Sequence, residues 1–274
     1  MAGRPRREAA VSTELALTDV GVADLPWPVR VPSRAAPRGQ PTVARVAVEA
    51  RVAREFEADW VDRLLRILHE HRDSIGTQAL RREVGAFVEA LGASMVAVTL
   101  DYPFFVEKRT PRTGQKCLVK HDCSCSVVAL SPDASARVFF TIGVPCITTG
   151  PSPEGRHGGA SVGQSSLVTL ETESRGDVFP EDLVALVDRN ALAPLYSFLA
   201  PEDREDVLRL IHTGRRTSVE MVERIRNELA ADPGLGYYSV RCLDSSFLHP
   251  YHTMVGQKMG PRKPRGPWLD EEEE

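Results

Sequence analysis

Three long strand-like stretches follow one another through the middle of the chain, at 95–106, 116–130 and 136–149. Two breaks rich in turn formers separate them, Pro111-Arg112-Thr113-Gly114 and Ser131-Pro132-Asp133. Strands of this length joined by short turns pair antiparallel, and a sheet built that way must bury a face against something else. The covering layer is legible on both sides. Before the strands, Trp60, Leu64, Ile67 and Leu68 share one helical face, and 77–91 repeats the pattern through Leu80, Val84, Phe87, Val88 and Leu91. Gly92 ends that second helix. After the strands, Pro180 opens a helix, and 202–211 and 217–229 read as two more. The last begins with Thr217-Ser218-Val219-Glu220, the spacing of a capping box. Shorter strands are expected at 46–52, 167–172, 237–243 and 247–255. Long antiparallel strands with helices gathered on one face define an α+β class.

Composition narrows what such a fold can serve. With 274 residues, 42% hydrophobic and 26% charged, the chain is ordinary for a globular protein and long enough to bury a core. A net charge of −4 gives no electrostatic case for nucleic acid or an anionic membrane. No apolar run approaches the roughly 20 residues a membrane-spanning helix needs. Arg4, Arg6 and Arg7 are followed by no apolar core, so the N-terminus does not read as a secretory signal. Five cysteines, an odd number, fit reduced thiols in the cytoplasm rather than a disulfide framework. Residues 1–17 and 260–274, the latter ending in Asp270 and four glutamates, read as disordered tails around a domain at 18–259.

The N-terminal part carries a set of short motifs in order. They are Asp19-Val20-Gly21-Val22, Pro28-Val29-Arg30-Val31, Gln40-Pro41-Thr42-Val43-Ala44, then 102–108 and Pro111-Arg112-Thr113-Gly114. In this order and spacing the chain resembles the type IB GTP cyclohydrolases. The resemblance implies two tandem modules of the tunnelling fold (T-fold), each a sheet with helices on its outer face. It also implies a barrel-forming homo-oligomer, a tetramer, with sites at subunit contacts. The implied reaction is pterin- and folate-type chemistry. Water attacks carbon 8 of GTP, formate leaves, and 7,8-dihydroneopterin triphosphate is the product. The family uses a metal ion, Zn or Mn here, to supply the nucleophile. Lowering a water pKa from about 15.7 to about 7 is worth roughly 12 kcal/mol, so the ligand set matters.

Carried over residue by residue, the family's Cys-Pro-Cys falls on Gly150-Pro151-Ser152, and the histidine of its Ala-His-Asn-Gln-Arg falls on Val162. The glutamate of its Lys-Arg-Pro-Asp-Glu falls on Arg204. Its Phe-Val-Glu-Asp survives in part as Ser218-Val219-Glu220-Met221, and its Glu-Ser-Ile-His-Asn-His as 244–249, keeping a carboxylate at Asp244 and a histidine at His249. On that alignment Glu220 and His249 are catalytic candidates, and Asp244 is the acceptor for the amide and amino edge of guanine. Plain readings stand beside these. Glu220 is explained by capping, Asp244 by a turn at a strand end, and His249 by an ordinary strand position. Cys146 and His157 lie beside the lost ligands and with His249 would make a three-ligand metal site; the alternative is a buried thiol and a loop histidine. Arg156, among glycines at 155–159, and Lys108 are candidates for the substrate's phosphates. His121, Cys123 and Cys125 share one side of a strand but lack the paired spacing of a zinc site, which favours core-facing thiols. Two further functions stay open: a T-fold enzyme acting on another purine or pterin, and an inactive ligand-binding or partner protein.

Overall fold

A computed structural model describes residues 17–53, 59–70, 77–129, 135–150, 163–246 and 250–260. The elements run β1 (Leu17–Val31), β2 (Gln40–Ala53), α1 (Trp60–Glu70), α2 (Thr77–Leu91), β3 (Met95–Arg109) and β4 (Lys116–Ala129). The second half repeats the plan with β5 (Arg137–Thr149), β6 (Gly163–Ser174), α3 (Pro180–Asn190), β7 (Ala193–Pro194), α4 (Pro201–Thr213), α5 (Ser218–Ala230), β8 (Leu235–Ser245) and β9 (His252–Met259). One sheet holds them in the order β1-β2-β3-β4-β5-β6-β8-β9, and β7 pairs with β5. Every pairing is antiparallel.

Period-2 alternation assigns the two faces. On β4, Cys117, Val119, His121, Cys123 and Cys125 are buried, while Lys116, Leu118, Lys120 and Asp122 are exposed. The expected core-facing thiols at Cys123 and Cys125 are therefore observed, and all five cysteines are free and buried. On the helix side, Leu80, Val84, Phe87, Val88 and Leu91 of α2 join the core with Val98, Leu100 and Phe104 of β3. Met221, Val222, Ile225 and Leu229 of α5 do the same beside Val240 and Cys242 of β8. The opposite face is open and shows Val43, Phe105, Leu118, Leu167 and Met254 to solvent.

Among the side-chain contacts that join the halves, two start from the β3–β4 end of the first half. Asp203 of α4, 0% exposed, accepts hydrogen bonds from the backbone N–H groups of Arg112 and Thr113 at 2.9 Å and from the Thr113 hydroxyl at 2.6 Å. Burial alone would raise its pKa; these donors outweigh burial and hold it at about 2. The 110–114 turn of the first half is thus clamped onto a helix of the second. The other fastening is Lys108 of β3, whose Nζ lies 2.7 Å from Asp188 Oδ2 of α3.

Where sequence and structure part, local reasons are visible. Leu17, assigned to a tail, begins β1, which the alternation did not reveal because Pro26 and Pro28 interrupt it. An edge strand tolerates proline, since the missing N–H can face away from the ladder. Asp24, at φ 55, marks the register shift between Val22 and Leu25. β9 begins at His252, two residues past Pro250, which has no N–H to give a ladder; the first residues of the strand expected at 247–255, 247–249, lie outside the described residues. Residues 1–16 and 261–274, where the tails were expected, and the break at 131–133 lie outside the described residues.

Candidate functional site

One end of the sheet gathers the polar side chains that a core does not need. β5 ends there at Thr149, β6 starts at Gly163, β8 ends at Ser245, and the capped start of α5 lies over them. Antiparallel pairing explains the gathering, because register brings Thr148 opposite Gln164, Cys146 opposite Ser166, and Ser166 opposite Asp244. All are buried on the helix side.

They form one network. Asp244 Oδ1 accepts from the Ser166 hydroxyl at 2.6 Å and from the Thr148 hydroxyl at 3.4 Å. The Ser166 and Thr148 hydroxyls are 2.7 Å apart, and Gln164 Nε2 donates to Thr148 Oγ1 at 3.1 Å. Cys242 donates its thiol to Asp244 Oδ1 at 3.4 Å. Burial, and after it the neighbouring Asp244 charge, raise the Cys242 pKa far above an ordinary thiol. Asp244 is 4% exposed, so its carboxylate ties three strands together rather than standing free at a strand end.

Cys146 sits in the same layer, fully buried, with its thiol 3.8 Å from the Met221 sulfur. Burial first, then the Asp188 and Asp244 charges, push its pKa up to about 12 against the pull of Lys108. A metal binds the thiolate, the form that this burial disfavours. Lys108 is also buried and committed to Asp188. Asp188 itself has a pKa raised by burial, which the lysine only partly offsets.

Glu220 closes a full capping box. Its Oε2 accepts from the Thr217 backbone N–H at 3.0 Å, and the Thr217 hydroxyl accepts from the Glu220 N–H at 3.3 Å. The residue is nonetheless exposed, so a ligand can reach it. His252, also exposed at this end, is 2.9 Å through Nδ1 from the Ser245 hydroxyl.

The sequence candidates therefore divide. Cys146, Lys108, Asp244 and Glu220 come to the same end of the sheet. Arg156, His157 and His249 lie outside the described residues. Among the described residues no three His, Cys, Asp or Glu side chains are grouped to hold a metal ion. Gly150, where the resemblance led us to expect the first family cysteine, has no side-chain donor. Of the expected metal ligands Cys146, His157 and His249, Cys146 is the one among the described residues. Asp188, Ser166, Thr148 and Gln164 were missed as site residues. The last three could have been found, since each is polar at a helix-facing position of a strand whose alternate residues are apolar.

The buried residue His121, on the same helix side of the sheet, gives its Nδ1 to the Gly143 carbonyl at 3.2 Å and leaves Nε2 without a partner. Burial lowers its pKa to about 4, helped by Lys108 and opposed by the Gly143 carbonyl and Asp122.

Comparison with known proteins places this arrangement. The family model for type I GTP cyclohydrolase folE2 matches residues 7–254. The GTP cyclohydrolase FolE2 of Geotalea uraniireducens is 27% identical over 236 residues, covering 85% of this chain and 84% of that protein. That of Pelobacter propionicus is 26% identical over 250 residues, covering 90% and 94%. In fold, the crystal structure of a uricase from Arthrobacter globiformis superposes with a TM-score of 0.51 at 10% identity, over 94% of this chain and 99% of the other. An identity that low speaks to fold alone, and the fold is the bimodular T-fold expected from the sequence.

Proposed function

Because this chain belongs to the type I GTP cyclohydrolase FolE2 family, we propose that it binds GTP at the polar end of its sheet and opens the imidazole ring of the base. Water adds at carbon 8, formate leaves, and the rearranged product is 7,8-dihydroneopterin triphosphate. The observation that carries this reading is the extent of the family match, which runs through Glu220 and Asp244 to residue 254. Glu220 is the residue fitted to meet the base. One of its carboxylate oxygens is taken by the Thr217 N–H, and the exposed carboxylate retains acceptor capacity for the amide and amino donors of guanine. Asp244 acts behind it, holding the ends of β5, β6 and β8 in register through Ser166 and Thr148.

The finer statements belong to the same reading. The N-terminal motifs favour the type IB subgroup. The free edges of β1 and β9 suit closure of the sheet into a barrel by further copies, a tetramer on the family's pattern. Five free cysteines suit a reducing cytoplasm. No helix among the described residues is long and apolar enough to cross a membrane.

A second reading, in which the chain acts on another purine or pterin or only binds one, is favoured by the full burial of Cys146 against the Met221 sulfur. GTP turnover separates the two. Purified protein is supplied with Zn or Mn and assayed by pterin fluorescence after oxidation, with and without chelator. Fluorescence abolished by chelator supports metal-dependent GTP cyclohydrolysis. A folded oligomer giving no fluorescence under any condition sinks the cyclohydrolase reading and leaves the second.

A further inference from the structure

Arg216 precedes the Thr217 cap of α5 and, among the described residues, is the least satisfied charged side chain at this end of the sheet. Its Nε and Nη1 are both buried and have no hydrogen-bond partner. A buried guanidinium donor left unmet forfeits a charge-assisted hydrogen bond, which in a folded protein calls for an explanation. Looseness does not supply one, because the backbone around Arg216 is fixed. Its N–H donates to the Thr149 hydroxyl at 3.0 Å, and its carbonyl accepts from the Thr149 N–H at 2.8 Å. The preceding linker is tightly packed as well. A side chain at Gly214 would meet Leu192 Cδ1 at 2.6 Å, and one at Gly163 would meet Ile211 Cγ2 at 2.5 Å. Arg216 is therefore pinned to the last residue of β5, four residues ahead of Glu220, with donors and no acceptor.

We propose that Arg216 binds the substrate, donating to an oxygen acceptor of the purine nucleotide. The donor complements Glu220: a guanine edge presents a keto oxygen beside two N–H donors, which asks for a cation next to a carboxylate. A phosphate oxygen is the other acceptor that a guanidinium fork fits. Both are oxygens of the same ligand class, and the two are separable by experiment. This inference rests on the site proposed above.

The test is equilibrium titration of the full chain with GTP, guanosine and tripolyphosphate, comparing wild type with Arg216→Gln, Arg216→Lys and the exposed neighbour variant Arg215→Gln. Arg216→Gln should weaken GTP binding by at least about tenfold, Arg216→Lys by less, and Arg215→Gln should leave it unchanged. Loss of guanosine binding in parallel assigns the base oxygen. Loss of tripolyphosphate binding with guanosine retained assigns the phosphates. The melting temperature of Arg216→Gln without ligand should equal or exceed that of wild type, since an unpaired buried charge has been removed. A variant that melts lower and binds GTP as wild type does overturns the proposal, because the arginine is then structural. Wild type that binds none of the probes overturns the site itself. Wild type that binds or turns over GTP, with Arg216→Gln doing so equally well, overturns only the role of Arg216.

Discussion

The two halves of the sheet follow one plan, two strands, helices and two strands, yet they spend their helix-facing positions differently. In the first half those positions on β2 and β3 are apolar from Ala44 to Phe104, apart from the Tyr102 hydroxyl, and α2 covers them with leucine, valine and phenylalanine. His121 on β4 and Lys108 at the end of β3 are the buried basic exceptions, beside the thiols of Cys117, Cys123 and Cys125. In the second half, Thr148, Gln164, Ser166, Thr172 and Asp244 hold equivalent positions, and four of them crowd the end where β5 and β8 finish. A polar group in a core contributes less to stability than a well-packed apolar one unless it is fully hydrogen-bonded. The first half is thus built as a scaffold, and the second carries a polar layer whose position coincides with the capped start of α5.

The largest expected effect tests the joint between the halves. Lys108→Met leaves Asp188 buried without its cation and should cost about 3 kcal/mol or somewhat more in urea unfolding. Adding Asp188→Leu should restore most of that, because two apolar side chains replace a buried pair at little net cost. A double variant no better than the single would mean that the pair does more than neutralise itself.

Much of the scaffold was legible because its signals are periodic. The 77–91 helix and the starts of β3 and β4 at Met95 and Lys116 follow directly from spacing, and the Thr217 capping box is observed as expected. The site was less legible. The reach of Lys108 to Asp188 spans 80 positions and depends on which helix lies across the sheet end. The burial of Asp244 depends on register with β6, which no local pattern encodes. Arg216 gave no signal at all in the sequence, since its distinction is the absence of a partner.

Acid should separate the halves next. His121 has its pKa lowered to about 4 from an ordinary value near 6.5, so the native state holds it neutral while the unfolded chain takes up a proton. Its contribution is fully present above about pH 6.5 and is lost as the pH falls toward 4, amounting to about 3 kcal/mol. The carboxylate of Asp203, held at about 2, loses its contribution only below its ordinary pKa near 3.8, in a separate window. His121→Leu should flatten unfolding free energy between pH 6.5 and 4 and leave the lower window intact. An unchanged slope would place the acid sensitivity elsewhere.

The smallest effect on stability is the sharpest on function, because Glu220 has two roles that its neighbours can pull apart. Thr217→Ala removes the hydroxyl that caps the Glu220 N–H and should cost about 1 kcal/mol, without touching the carboxylate that would meet the base. Glu220→Gln does the reverse. Glutamine keeps an oxygen for the Thr217 N–H, as the capping box allows, so stability should change by less than about 1 kcal/mol. Its amide, however, presents two N–H donors where guanine also presents donors. If Glu220 meets the base, GTP binding falls in Glu220→Gln and holds in Thr217→Ala, measured at a temperature where both are folded. If both variants bind as wild type does, Glu220 is a cap alone, and recognition of the base in this half must come from Arg216 or from outside the described residues.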